Sequence, residues 1–121
     1  MPHLTLEYTR NLNLPDPSAA LAALNAAMAG SGLFDEADIK SRAIALDNFK
    51  IGTAPAPRAF AHVRIALLAG RSAEQRKTLA DAALAALSAI LQAPAGTELQ
   101  LSVETVDLDR PSYAKAVIHG A

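Results

Sequence analysis

The chain of 121 residues contains no cysteine. That excludes disulfides, thiolate metal sites and a thiol nucleophile, and it accords with a reducing compartment. Tryptophan is absent and aromatic residues make up only 4%, so small aliphatics, above all alanine, must fill the interior and the elements must approach closely. No apolar run nears the ~18 residues of a membrane-spanning helix. The opening MPHLTLEYTRNL lacks the basic segment and apolar stretch of a signal peptide. The expectation is a cytoplasmic protein without a membrane partner. Charge of one sign is lacking too: 11 Lys and Arg stand against 12 Asp and Glu, a formal net charge of −1. A general nucleic-acid or membrane-surface binder needs a net basic face, so the balance argues against that class, although not against a local arginine cluster. The histidines His3, His62 and His119 are too scattered for a metal-ligand spacing.

What is present suits one compact domain over residues 1–121, with 51% hydrophobic and 19% charged residues. His3 to Tyr8 alternates with a period of two, Leu4 and Leu6 against Thr5 and Glu7, which predicts a strand starting right behind Pro2. Asn11 to Pro17 is turn chemistry. Ser18 to Gly30 predicts a helix with Leu21, Leu24 and Met28 on its apolar side. Ile39 to Leu46 predicts a second strand, followed by a Gly-, Pro- and Ala-rich loop. The order then repeats. Phe60 to Leu68 alternates as a strand, Ser72-Ala-Glu-Gln75 is a capping box, and Leu79, Ala83, Leu87 and Ile90 or Leu91 form the stripe of a long helix. Leu99 to Val106 is the fourth strand, and the tail from Asp107 carries little pattern beyond Pro111.

The fold class is therefore α+β: two β-α-β units, a pseudo-repeat over 2–49 and 59–108, forming a four-stranded sheet with both helices on one face. The other face keeps Ala, Thr and Val among its polar residues and has nothing in the chain to cover it. That half-apolar face predicts an oligomer.

The first chemical candidate is Pro2. Its small side chain permits removal of Met1, which leaves a free prolyl secondary amine. At a partly buried strand terminus beside cations, the charged form of that amine is penalised and its pKa falls, giving a general base at neutral pH. A Met-Pro start alone points to nothing. What adds weight is the strand that pins the amine and the Gly70-Arg71-Ser72 turn between the second unit's strand and helix.

Residues 67–94, LLAGRSAEQRKTLADAALAALSAILQAP, resemble the Gly-Arg-Ser-x-Glu-Gln-Lys segment of 4-oxalocrotonate tautomerase subunits. The start PHLTLEYTRNL, the segment SGLFDEADIKSRAIALDNF at 31–49 and FAHVRIALLAGRS are closer still to the 5-carboxymethyl-2-hydroxymuconate isomerase family. The resemblance spans nearly the whole chain and weakens after about Leu108. It implies a tautomerase-like fold, a homotrimer, no metal or organic cofactor, and an isomerase of aromatic-ring (homoprotocatechuate) catabolism that ketonises a dienol. It further implies Pro2 as the base, Arg71 as a binder of a substrate carboxylate, and Arg42 as the arginine that polarises the 2-oxo group, with Lys40 on the same strand face as the rival for that role.

These residue types fit a small-molecule polycarboxylate substrate, because arginine's planar fork binds carboxylates at two points and keeps its charge. Arg71 standing alone equally suits a turn that needs its carbonyls satisfied. Arg64, Arg76 and Lys77 read as solvated or ion-paired surface, His62 as structural, and Glu7 and Glu104 as strand-face partners for arginines. Phe49 and Phe60 are candidates for an apolar wall. Only the first unit begins with proline, so a trimer would hold three sites. Two other readings remain open on the sequence: a tautomerase of another 2-oxo acid, and a non-catalytic ferredoxin-like or cytokine-like binding module.

Overall fold

In a computed structural model, which describes residues 1–120, the chain follows the order expected from its periodicity. Strand β1 spans His3–Thr9, helix α1 Pro17–Gly30 and strand β2 Lys40–Leu46. Strand β3 spans Arg58–Leu68, helix α2 Ala73–Ile90 and strand β4 Glu98–Leu108. The sheet order is β2-β1-β3-β4. Within each unit the strands run parallel, β1 with β2 and β3 with β4, and the two units meet along antiparallel β1 and β3. The resulting α+β architecture, two β-α-β units with paired helices, is the one the sequence predicts.

Local chemistry explains where the helices start and stop. The Asp16 carboxylate accepts from the Ser18 amide at 3.1 Å, and Pro17 supplies the fixed φ of a first helical turn. At α2 the Gln75 amide donates to Ser72 Oγ at 3.1 Å while the Ser72 amide donates to Gln75 Oε1 at 3.0 Å, completing the capping box. Pro94 follows the end of α2 and keeps it from running on.

Alternation along the strands decides which face is buried. Leu4, Leu6 and Tyr8 of β1 and Val63, Ile65 and Leu67 of β3 lie under the helices. Ala20, Leu24 and Met28 of α1 and Leu79, Ala83 and Leu87 of α2 close the core from above. Ala20 and Ala83 are fully buried, so the scarcity of aromatics is resolved by small side chains that let the helices settle close to the sheet and to each other. Of the two candidates at the end of α2, Leu91 is buried and Ile90 is exposed. The opposite sheet face carries His3, Thr5, Glu7, Lys40, Arg42 and Ile44 with no helix over it. No helix of the described residues is long and apolar enough to cross a membrane.

Ile65 is fully buried in the centre of this core. Ile65→Ala is expected to destabilise the protein by about 2–5 kcal/mol, read as a lowered urea midpoint at fixed protein concentration. Ile90→Ala on the exposed side of α2 should stay within roughly 0.5 kcal/mol in the same measurement.

Candidate active site

Because β1 is an inner strand, the amino terminus is held inside the molecule. Pro2 is fully buried, and its carbonyl accepts from the Lys40 amide at 3.1 Å, which locks it to the start of β2. Met1 ahead of it lines a cavity of about 400 Å³ together with Phe34, Asp38, Arg71, Arg110 and Tyr113. The Met1 ammonium is 3.6 Å from Asp38 Oδ2. Its pKa is lowered, first by burial and then by the charges of Lys40 and Lys115, with Asp38 pulling the other way. An amine at this end of β1 is thus held toward its neutral form.

Arg71 reaches the cavity from the turn after β3. Gly70 has a φ of +125°, which lets the chain swing from β3 into α2 and aim residue 71 inward. The guanidinium donates to the Leu33 carbonyl at 3.2 Å and lies over the Phe34 ring at 4.7 Å from its centroid. No carboxylate pairs with Arg71 among the described residues. Its charge is oriented, not neutralised.

The two strand cations separate. Lys40 is bonded through Nζ to the Asp38 carbonyl at 2.9 Å, and its charge is felt at the Met1 amine. Arg42 is exposed on the open sheet face and contacts His3 Nδ1 at 2.6 Å. It does not line the cavity of its own chain. An arginine only donates, so His3 Nδ1 accepts, and the neutral ring carries its proton on Nε2. That N–H donates to the Tyr113 hydroxyl at 3.1 Å, leaving the hydroxyl hydrogen for Met1 Sδ at 3.1 Å. Arg42 is linked to the amino terminus by this chain of bonds. Burial, followed by the charges of Arg42 and Lys40, pushes the His3 pKa down and keeps the ring neutral.

Several contributors lie where sequence periodicity says nothing. Asp38 sits in a short 3-10 turn and is clamped by Lys115 Nζ at 2.5 Å. This contact holds the Asp38 carboxyl below its ordinary pKa and raises that of Lys115. Tyr113, Lys115 and Arg110 all belong to the patternless tail. Phe34, not Phe49 or Phe60, lines the cavity, and Phe60 lies on β3 beyond the Tyr8–Ala61 pair, at the end of the sheet away from Pro2. His62 is structural, contacting Ser102 Oγ at 2.7 Å and the Glu104 carboxylate, which also pairs with Arg64 at 3.7 Å. Lys77 pairs with Asp81 at 2.8 Å and Arg76 with Asp107 at 3.9 Å. No group of three or more His, Asp or Glu that could hold a metal occurs among the described residues.

A family model described as 5-carboxymethyl-2-hydroxymuconate isomerase matches residues 2–121. Among solved structures the chain is similar to a 5-carboxymethyl-2-hydroxymuconate isomerase from Deinococcus radiodurans. The identity is 33% over 95% of this chain and 88% of that one, with a TM-score of 0.82. The fold is shared with a 5-carboxymethyl-2-hydroxymuconate delta-isomerase at 22% identity, over 99% of this chain and 89% of that one, with a TM-score of 0.66. It is shared also with a fused 4-OT described as a symmetric trimer, at 23% identity, over 87% of this chain and 85% of that one, with a TM-score of 0.65. No curated protein matches the chain at a significant level.

The environment of His3 has a measurable consequence. With its pKa lowered in the fold and ordinary when unfolded, at about 6.5, the unfolded chain binds the proton more readily. Stability is then full above that ordinary value and falls as pH drops toward the folded one. A proton NMR titration of the His3 ring should give a midpoint below the ordinary value, and Arg42→Met should raise it. A midpoint unmoved by Arg42→Met would mean that the contact between these side chains does not set the charge of the ring.

Proposed function

The chain belongs to the 5-carboxymethyl-2-hydroxymuconate isomerase family, and from that premise we propose that it ketonises 5-carboxymethyl-2-hydroxymuconate, with the amino-terminal nitrogen of Pro2 as general base. It is an isomerase, and the binding-module reading falls away. The observation that carries the finer reading is the placement on one cavity of Met1, directly ahead of the buried Pro2, and of Arg71, which has no carboxylate partner among the described residues. Removal of Met1 makes the Pro2 nitrogen the terminal amine. Burial and the charges of Lys40 and Lys115, which lower the pKa of the Met1 amine, act in the same direction on its successor.

The reaction needs no net gain or loss of protons. The neutral Pro2 amine takes the proton of the 2-hydroxyl as the enol oxygen becomes a carbonyl, and the prolyl ammonium returns a proton to a carbon of the conjugated chain. One double bond moves and the 2-oxo isomer forms. Arg71 holds a substrate carboxylate through its two-point fork. A second cation stabilises charge building on the 2-oxygen. Lys40 stands nearer the amine within one chain. Arg42 faces outward, where an adjoining subunit of a homotrimer would bring a neighbouring site to it. Assembly through the open face, with three sites per trimer, is part of this proposal. So are one domain over residues 1–121, a cytoplasmic location and a place in homoprotocatechuate catabolism.

Ketonisation followed by absorbance tests the base directly, on protein whose free Pro2 terminus is verified by mass spectrometry. Pro2→Ala and Arg71→Ala should each slow turnover by about a hundredfold or more, equivalent to roughly 3 kcal/mol of barrier. A verified prolyl terminus with no turnover would remove this substrate assignment. Retention of full rate by Pro2→Ala would remove the base.

A further inference from the structure

We propose that Arg110 is a specificity-determining residue that binds the extra carboxylate distinguishing a tricarboxylate dienol from a dicarboxylate one. The proposal deepens the functional reading above and rests on it for the reaction, though not for the anion site itself.

The basis is a contrast among the basic side chains. Arg10, Arg64, Arg76, Lys77 and Lys115 each have a carboxylate within ion-pair distance. Arg71 and Arg110 have none among the described residues and, unlike Lys40, Arg42, Lys50 and Arg58, which also have none there, both line the cavity at the amino terminus. Solvent-exposed arginines that serve as surface charge are usually free to wander. Arg110 is instead fixed: its Nε donates to the Ala69 carbonyl at 2.5 Å. Its guanidinium lies against Gly70, where an added Cβ would come within 3.7 Å of Nε and Nη2. With Nε bound to the protein, the Nη groups are left to meet a ligand.

The backbone that carries Arg110 is also anchored. The Ala69 amide donates to the Leu108 carbonyl at 3.0 Å, and Ser112 Oγ donates to Asp109 Oδ2 at 2.8 Å across a 3-10 turn containing Pro111. Beyond the turn, Tyr113 and Lys115 tie the tail to His3 and Asp38. The tail is therefore tied down along the cavity as a strap, and Arg110 is one of the charges it contributes to the lining.

The other charged groups on the cavity do not pair with these two arginines among the described residues. Asp35 and Asp38 also line the cavity, and Lys115 lines it while clamping Asp38. What remains is two oriented arginines, with Asp35 as the opposing carboxylate. One arginine suffices for a carboxylate beside the reacting enol. With Arg71 on one carboxylate and the cation at the 2-oxygen beside another, Arg110 on the strap offers a third fork, which 2-hydroxymuconate, lacking the carboxymethyl branch, would leave empty.

The test compares 5-carboxymethyl-2-hydroxymuconate with 2-hydroxymuconate on wild type, Arg110→Gln and Arg110→Lys. Arg110→Gln should raise KM for the tricarboxylate about tenfold or more, as expected for loss of a charge-assisted contact. Its kcat should be little changed, and KM for the dicarboxylate should move less than about twofold. Arg110→Lys, which keeps the charge without the fork, should fall between. Equal effects on both substrates, or none on either, overturn the proposal. Calorimetric titration with propane-1,2,3-tricarboxylate and with glutarate separates it from the catalytic reading. Selective loss of tricarboxylate binding in Arg110→Gln supports the anchor even if wild type turns over neither dienol. Unchanged tricarboxylate binding refutes it even if the enzyme is active. Should Arg110→Gln lose its cooperative melt, the same comparisons are made on Arg110→Lys alone.

Discussion

Antiparallel pairing of β1 with β3, His3 opposite Ala66 and Tyr8 opposite Ala61, makes an inner strand of the first residues of the chain. Chain termini ordinarily fray, because few contacts hold them. Here Lys40 is bonded to the Pro2 carbonyl on one side and β3 runs along the other. The amine at the head of β1 cannot move away from its surroundings without undoing the sheet. Every electrostatic feature of the site follows from that immobility, since a charge or dipole shifts a pKa only if the group stays beside it.

The fixed amine meets opposing influences, and their sizes decide its state. Asp38 favours the ammonium form, and burial, Lys40 and Lys115 disfavour it, with burial the largest effect. Lys115 acts twice, because it repels the ammonium and also occupies a carboxylate oxygen of Asp38. Without Lys115, the pull of Asp38 toward protonation of the amine would no longer be offset by that charge. The tail thus belongs to the chemistry of the amino terminus, although more than a hundred positions separate Tyr113 from Met1 in the sequence. Arg42 takes part by a different route, holding His3 in the tautomer that donates to Tyr113.

Much of the fold can be read directly from residue patterns. The alternation of Leu4 and Leu6 with Thr5 and Glu7, the Ser72–Gln75 capping box and the Leu79-Ala83-Leu87 stripe each have a local physical cause. Pro2 and Arg71 could be singled out because a strand start and a Gly-Arg turn give them fixed positions. Asp38, Phe34, Tyr113 and Arg110 could not. They lie in 3-10 turns and irregular segments whose placement depends on long-range contacts, and no period in the sequence marks such segments. The choice between Lys40 and Arg42 was undecidable for a related reason: residues two apart on a strand share a face, and alternation cannot say which of them bends toward a terminus. Phe60 lies away from the cavity because β3 runs antiparallel to β1 and carries it to the end of the sheet away from Pro2.

The open sheet face carries a last constraint. Burying polar groups against a partner costs free energy unless their hydrogen bonds are already made. On β3 and β4 that condition is met within the chain, since His62 is bonded to Ser102 and Glu104, and Glu104 also meets Arg64. Such a self-satisfied network can be covered by another subunit with little loss of hydration. The β2 side is different. Ile44 stands 46% exposed, and Arg42 beside it has only a neutral histidine as partner among the described residues. A face that combines a satisfied polar half with an unsatisfied arginine and an exposed isoleucine is suited to assembly in one orientation. In the proposed trimer that arginine needs an anion, and a substrate carboxylate at an adjoining cavity would supply it without requiring an acidic residue from the partner.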